Sequence, residues 1–206
     1  MARNRKSPKL RVAVLASGAG TTLQAVIDAA ESGALDAELV VVISNNSGSG
    51  ALERARRHGI PARHLSGRTH AEPEALDRAT AAALAEHRPD LVLLAGYMRK
   101  LGTHTLGAYR GRVLNTHPAL LPRHGGQGLY GSHVHEAVIA AGDRITGVSV
   151  HLVDENYDTG PVIAQCEVPV EPRDDAAALA ARVQAVERRF LVEVLQGIAD
   201  RRIALP

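Results

Sequence analysis

Aromatic side chains are nearly missing from this chain of 206 residues, which has four tyrosines (Tyr97, Tyr109, Tyr130, Tyr157), Phe190 and no tryptophan. A surface that stacks single-stranded nucleic acid needs a series of aromatic faces, so such a surface is not expected. The core must instead be packed from Ala, Val, Leu and Ile. Cys166 is the single cysteine, which excludes a disulfide framework and a Cys-x-x-Cys pair for zinc or redox work. No apolar run approaches the length of a membrane span. Acids are missing from the first nine positions, where Arg3, Arg5, Lys6 and Lys9 stand unopposed. Taking those four charges from the formal net +2 leaves −2 on the rest, so neither a basic patch on the folded body nor general nucleic-acid affinity is implied. The leader has no apolar centre and resembles neither a secretory signal nor an anchor. Residues 1–9 are expected to be a disordered basic leader, and the protein to be cytoplasmic.

What is present suits one packed domain over residues 10–206. Apolar residues make up 45% of the chain, and a chain of this length buries about 70% of the surface it exposes when unfolded. Leu10 to Ala16 reads as a strand running into Ser17-Gly18-Ala19-Gly20-Thr21-Thr22, then an Ala-rich helix to about Ser32. A strand, a small-residue turn and a helix N-terminus make a cradle for an anion, because unpaired N–H groups and the helix dipole both favour negative charge. Gly20 lets the backbone approach, and Thr21 and Thr22 add hydroxyls. A dinucleotide site fits poorly. Leu23 stands at the third glycine position, and the second strand (Glu38 to Ile43) ends in Ser44-Asn45-Asn46 where a ribose-binding acid belongs. A short helix over Gly50–His58, a short strand over Pro61–Leu65 and an amphipathic helix over Glu72–His87, with Leu76 and Leu84 inward, follow. Asp90 to Ala95 is nearly all apolar, as a central parallel strand should be.

Residues 112 to 115 read as the end of a buried strand that Pro118 terminates. Side chains alternate across a strand, so Asn115 and His117 face one side and Thr116 the other, at the edge where open parallel sheets bind ligands. An amide donor can stabilise an oxyanion and a nearby imidazole can carry a proton; a satisfied turn pair stays open from these residues alone. Four glycines between Arg123 and Gly131 predict a mobile loop. His133 and His135 do not share a helical face and have no third partner at ligand spacing, so no metal site is expected. Strands over Thr146–Val153 and Pro161–Val170 precede a last helix, capped by Asp174 or Asp175 and running to about Ala199.

Three stretches together resemble the folate-dependent formyltransferases. Asn115-Thr116-His117-Pro118-Ala119-Leu120-Leu121-Pro122 corresponds to their Asn-x-His-x-x-Leu-Leu-Pro. Ala95-Gly96-Tyr97-Met98-Arg99-Lys100-Leu101 corresponds to Ala-Gly-[Phe/Tyr]-Met-Arg-x-Leu. Gly147 to Gly160 corresponds to Gly-x-[Ser/Thr]-Val-His-x-Val-x-x-x-x-Asp-x-Gly. The resemblance covers about residues 10 to 200. It implies an α/β fold, a Rossmann-like mostly parallel sheet flanked by helices, with antiparallel strands toward the C-terminal side.

The resemblance also implies that Asn115, His117 and Asp158 are catalytic. A further stretch, Ser17-Gly18-Ala19-Gly20-Thr21-Thr22-Leu23-Gln24, resembles the family's Ser-Gly-x-Gly-Thr-x-Leu-Gln and implies that Gly20, Thr21 and Thr22 hold the phosphate of a ribonucleotide, with Gln184 and Glu187 at positions that also contact that substrate. By the match of the three stretches, Met98, Arg99, Lys100, Leu101, Asn115 and Asp154 receive the folate. Two departures stand out: Thr22 occupies a position where relatives often carry Asn, and Pro73 one where they place a folate-contacting Arg. The implied activity is formyl transfer from 10-formyltetrahydrofolate, a cosubstrate and not a tightly bound cofactor, to the amine of glycinamide ribonucleotide. No metal, nucleic acid or membrane is implied, and the assembly is a monomer or homodimer. The family's tRNA-acting branch carries an additional RNA-binding domain that this length does not hold. Its hydrolytic branch, in which water takes the formyl group, stays open, as does a non-catalytic nucleotide-binding module. A carboxylate beside His117 is expected to raise its pKa.

Overall fold

The computed structural model describes residues 8–206; the leader expected at 1–9 lies, apart from Pro8 and Lys9, outside the described residues. In chain order the elements are β1 (Leu10–Leu15), α1 (Thr21–Ser32), β2 (Ala37–Ser44), α2 (Gly50–Arg57), β3 (Ala62–His64), α3 (Pro73–His87), β4 (Leu91–Leu94), α4 (Thr103–Ala108), β5 (Val113–His117), α5 (Ser132–Ala140), β6 (Ile145–Leu152), β7 (Val162–Pro169) and α6 (Ala176–Ala199). The strands form one sheet in the order β3-β2-β1-β4-β5-β6-β7. Pairing is parallel from β3 through β5 and antiparallel at β5–β6 and β6–β7. This is the α/β, Rossmann-like arrangement expected from the sequence, with its antiparallel strands at the C-terminal side.

Both faces of the parallel half are covered, which is why its strands are apolar without interruption. Val12, Val14, Leu91 and Leu93 pack with α1, α2 and α6 on one face. Ala13, Leu15, Val92 and Leu94 pack with Leu84 of α3 and Tyr109 on the other. Each fully buried Leu or Val of this kind contributes about 1.5–3 kcal/mol. Strand order reverses between β1 and β4, whose carboxyl ends lie side by side; such a switch point opens a crevice for ligands.

The structure departs from the sequence reading in α3 and α4. Leu84 is buried as expected, but Leu76 is half-buried, and Asp77 and Thr80 turn inward instead. Asp77 does so to cap α4, a helix that its own six residues do not announce. Its carboxylate accepts the His104 N–H at 2.7 Å and the Thr105 N–H at 3.1 Å, supplying from α3 the partners α4 lacks locally. α6 is capped by Asp175, whose Oδ1 accepts the Ala178 N–H at 2.7 Å.

Candidate active site

One cleft of about 740 Å³ opens at the carboxyl ends of β1, β4 and β5. Thr21 and Thr22 of α1, Gly96 to Arg99 after β4, Asn115 to His117 of β5 with Pro118 after it, the 126–131 loop, Asp158, and Gln184 and Glu187 of α6 line it.

Its first wall is the turn between β1 and α1. Gly20 sits at the N-cap with φ 74° and no side chain caps the helix, so the leading N–H groups of α1 are left to a ligand. Gly20 has a second reason to be glycine. A Cβ built there would lie 2.8 Å from Ala51 Cα, and one on Gly50 would lie 2.7 Å from the Ala19 carbonyl oxygen. The two turns therefore touch backbone to backbone. Gly18, by contrast, faces open space. The Ser17 hydroxyl donates to Asn45 Oδ1 at 2.5 Å and accepts the Met98 N–H at 2.7 Å, tying together the loops that follow β1, β2 and β4.

The second wall carries the titratable groups. Antiparallel register sets Asn115 opposite His151, and Asn115 Nδ2 lies 3.1 Å from His151 Nε2. His151 Nδ1 is 2.9 Å from the Leu152 carbonyl. A carbonyl only accepts, so Nδ1 bears the proton, and in the neutral ring Nε2 accepts from Asn115. One amide N–H of Asn115 is thereby pinned and the other is free for the cleft. His117 Nε2 donates to the His124 carbonyl at 2.8 Å, which leaves Nδ1 facing Asp158 Oδ2 at 3.5 Å. Asp158 Oδ2 also accepts the Gly126 N–H at 2.9 Å, and Oδ1 lies 3.5 Å from His151 Nε2. A ring lone pair and a carboxylate that face each other form a place for one proton.

The electrostatics correct one expectation. Burial pushes the His117 pKa down and outweighs Asp158 and the His124 carbonyl, which both pull it up. The carboxylate acts in the expected direction but does not win in the free protein. Burial also pushes the Asp158 carboxyl up, yet the Gly126 N–H and, when their rings are protonated, His151 and His117 together hold it below the usual carboxylate range. The resting pair is therefore a carboxylate beside a neutral imidazole. His135, buried on α5, has its pKa lowered by burial and by His117, and its Nδ1 has no partner.

On the remaining side, Glu187 and Gln184 line the cleft from α6, and Thr116 Oγ1 donates to Glu187 Oε1 at 2.6 Å. Thr116 thus faces away from Asn115 and His117, as strand alternation predicts. Burial pushes the Glu187 carboxyl up. The residues expected to receive folate divide. Met98, Arg99 and Asn115 line the main cleft, whereas Lys100, Leu101 and Asp154 line an adjoining pocket of about 70 Å³ that shares Arg99, Asn115, Tyr157 and Asp158. Met98 is 51% exposed and is no core filler. Asp154 Oδ1 accepts the Asn156 N–H at 2.8 Å and the Thr159 hydroxyl at 2.8 Å, holding the turn that presents Asp158. Sequence reasoning missed His151, which appeared only as a strand residue. Its signal was the spacing within Ser149-x-His151, which repeats the in-facing alternation of Asn115-x-His117. His133 is exposed and tilted against Tyr130 while His135 is buried, so the two do not converge; among the described residues no group of three or more His, Cys, Asp or Glu could hold a metal ion.

Comparison with known proteins adds to this geometry. The sequence model described as formyl transferase matches residues 10–195. A phosphoribosylglycinamide formyltransferase of Mycobacterium tuberculosis is 40% identical over 199 residues, covering 97% of this chain and 89% of that protein. A chloroplastic one from Vigna unguiculata is 39% identical over 194 residues, covering 94% of this chain; the chain spans 62% of that relative's length. The crystal structure of glycinamide ribonucleotide transformylase 1 from Symbiobacterium toebii superposes with a TM-score of 0.91 at 35% identity, covering 100% of this chain and 95% of that one.

Proposed function

The chain belongs to the formyl transferase family, and from that premise we infer that it moves the formyl group of 10-formyltetrahydrofolate onto the amine of glycinamide ribonucleotide in de novo purine synthesis. The products are formylglycinamide ribonucleotide and tetrahydrofolate. One observation carries the reading: the uncapped N-terminus of α1 and the Asn115, His117 and Asp158 side chains line the same cleft. A phosphate held at the first can place a tethered amine at the second, and such positioning converts remote binding energy into rate.

Attack of the amine on the formyl carbon turns the carbonyl oxygen into an oxyanion. The free Asn115 N–H donates to it, and a charged His117 stabilises it through space. His117 charges at Nδ1, the nitrogen facing Asp158 at 3.5 Å. The amine's proton is therefore taken up between ring and carboxylate, then passed to the folate nitrogen as the carbon–nitrogen bond breaks. The spacing exceeds a tight hydrogen bond, so that proton is not locked in place. Gln184 and Glu187 hold the ribonucleotide from α6, while Met98, Arg99, Lys100, Leu101 and Asp154 form the folate side. The folate arrives and leaves as a cosubstrate. No metal takes part in this scheme, and the protein works in the cytoplasm as a monomer or homodimer. Among the described residues no helix is long and apolar enough to cross a membrane.

Incubating purified protein with 10-formyltetrahydrofolate, with and without glycinamide ribonucleotide, tests the reading. Rapid turnover is expected only with the acceptor, and the acceptor should carry the formyl group. A dephosphorylated acceptor should lose kcat/KM by roughly 10²-fold or more. Formate release that ignores the acceptor would instead identify water as the formyl acceptor.

A further inference from the structure

We propose that Asp143, which lies outside the cleft, is a positioning residue for this reaction, acting through the His124 imidazole to fix the backbone that grips His117 and Asp158. The proposal rests on the catalytic reading above.

Residues 124 to 126 touch both members of the proton pair in succession. The His124 carbonyl accepts from His117 Nε2 at 2.8 Å. A Cβ on Gly125 would lie 3.3 Å from Asp158 Cβ and 2.4 Å from Leu121 Cδ2, so the segment is wedged against the aspartate. The Gly126 N–H then donates to Asp158 Oδ2 at 2.9 Å. This grip is made by backbone in an unfavourable shape. His124 has φ 53°, the left-handed region that non-glycine residues avoid, and glycine-rich chain follows it. A segment of this kind needs an external hold.

The hold is Asp143, in the turn between α5 and β6. His124 Nε2 lies 2.7 Å from Asp143 Oδ2, with both side chains largely enclosed. Arg123 donates to Asp143 Oδ1 at 2.5 Å, but its guanidinium is 65% exposed, so this outer arm adds little. The His124 contact is the main reason the Asp143 carboxyl stays below its usual range. Charged and titratable groups acting directly on His117 are Asp158, His151, His124 and His135; Asp143 reaches it only through the tether.

Asp143→Ala and His124→Phe cut the tether from opposite ends, and Asp143→Asn leaves a neutral acceptor in place. We expect the first two to lower kcat roughly 10-fold, because the backbone that orients His117 and Asp158 is released, with KM for both substrates within about twofold. Asp143→Asn should lose less. The double variant should be no worse than either single one, since both remove the same contact. In ligand-free protein, NMR titration of His117 should show its pKa fall in Asp143→Ala, and less so in Asp143→Asn, because the His124 carbonyl supports the charged ring; His124→Phe is read by kcat alone, since it also removes the His124 charge that pulls the His117 pKa down. A folded Asp143→Ala protein with an unchanged His117 titration would overturn the proposal, whatever its kcat. The titration needs no substrate, so it tests the tether even if the wild-type protein fails to formylate glycinamide ribonucleotide, an outcome that would remove the functional reading alone.

Discussion

Under the proposed function, the wall of the cleft at α1 and the wall at β5 do different jobs with different materials. At α1 the ligand-facing atoms are backbone N–H groups, held because Gly20 and Gly50 let two turns touch. Backbone N–H groups do not titrate near neutrality. At and beside β5 they are the side chains of Asn115, His117 and Asp158, held by hydrogen bonds to His151 and the His124 carbonyl and from the Gly126 N–H, and the charges of His117 and Asp158 shift with their surroundings. A phosphate needs a fixed anchor at every pH, which backbone supplies. Proton transfer needs groups whose protonation changes in use, which buried side chains supply. Substitutions in the two walls should therefore fail in different ways.

The largest effect is expected at β5. His117→Ala should lower kcat by roughly 10²–10⁴, while calorimetric affinity for the ribonucleotide stays within a few-fold. A folded variant that retains more than half of wild-type activity would dissolve the contrast.

Next come two glycines of the α1 wall. Gly20→Val must adopt φ 74° and push Ala51 away, so it should destabilise the fold by roughly 2–4 kcal/mol, lowering Tm by about 4–16 °C and weakening both ligands alike. Gly18→Val enters open space. It should leave Tm nearly unchanged and weaken the ribonucleotide roughly 10-fold without affecting the folate. Equal affinities in wild type and Gly18→Val would mean that the phosphate sits elsewhere.

Asp158→Asn comes third. The carboxylate supports the charged imidazole against burial, so removing its charge should lower the His117 pKa further, as read by NMR titration. Asn tolerates the φ of 57° that Asp158 adopts, which keeps the comparison free of backbone strain. An unchanged or higher pKa would argue that the two do not interact.

The smallest effect is a stability change at Glu187. Burial raises its folded-state pKa, so its favourable contribution is complete below the unfolded value and is lost as pH rises through the folded one. Glu187→Gln should therefore raise Tm at pH 7 by about 1–3 °C, with the gain vanishing near pH 4, while ribonucleotide affinity drops. A Tm gain independent of pH would assign the effect to packing instead.

Much of this was legible in the residues. The apolar runs of β1 and β4, the stop at Pro118 and the alternation of Asn115, Thr116 and His117 are local signals, and they placed the cleft. What stayed hidden depends on contacts distant in sequence. Asp77 caps α4 from 27 residues away, so the helix has no signature of its own. His151 meets Asn115 only because β6 runs antiparallel to β5. The fall in the His117 pKa could not be read from a neighbouring carboxylate, since it depends on how much water the fold excludes. The glycine-rich loop read as mobile, and nothing local announced that its first residues are bound to both His117 and Asp158.

The bridging hydroxyl of Ser17 limits how this protein could be redesigned. It spans the β1 turn, Asn45 and the Met98 backbone, so under the proposed function it belongs at once to the acceptor side and to the donor side. A library aimed at new phosphate-bearing acceptors can vary Gly18, Ala19, Thr21 and Thr22 as a separate module. Once Ser17 varies, the Met98 amide loses its partner, and the proposed folate side should change with it. Selections that keep Ser17 should yield acceptor switches with donor affinity intact, and those that lose it should yield variants in which the two specificities drift together.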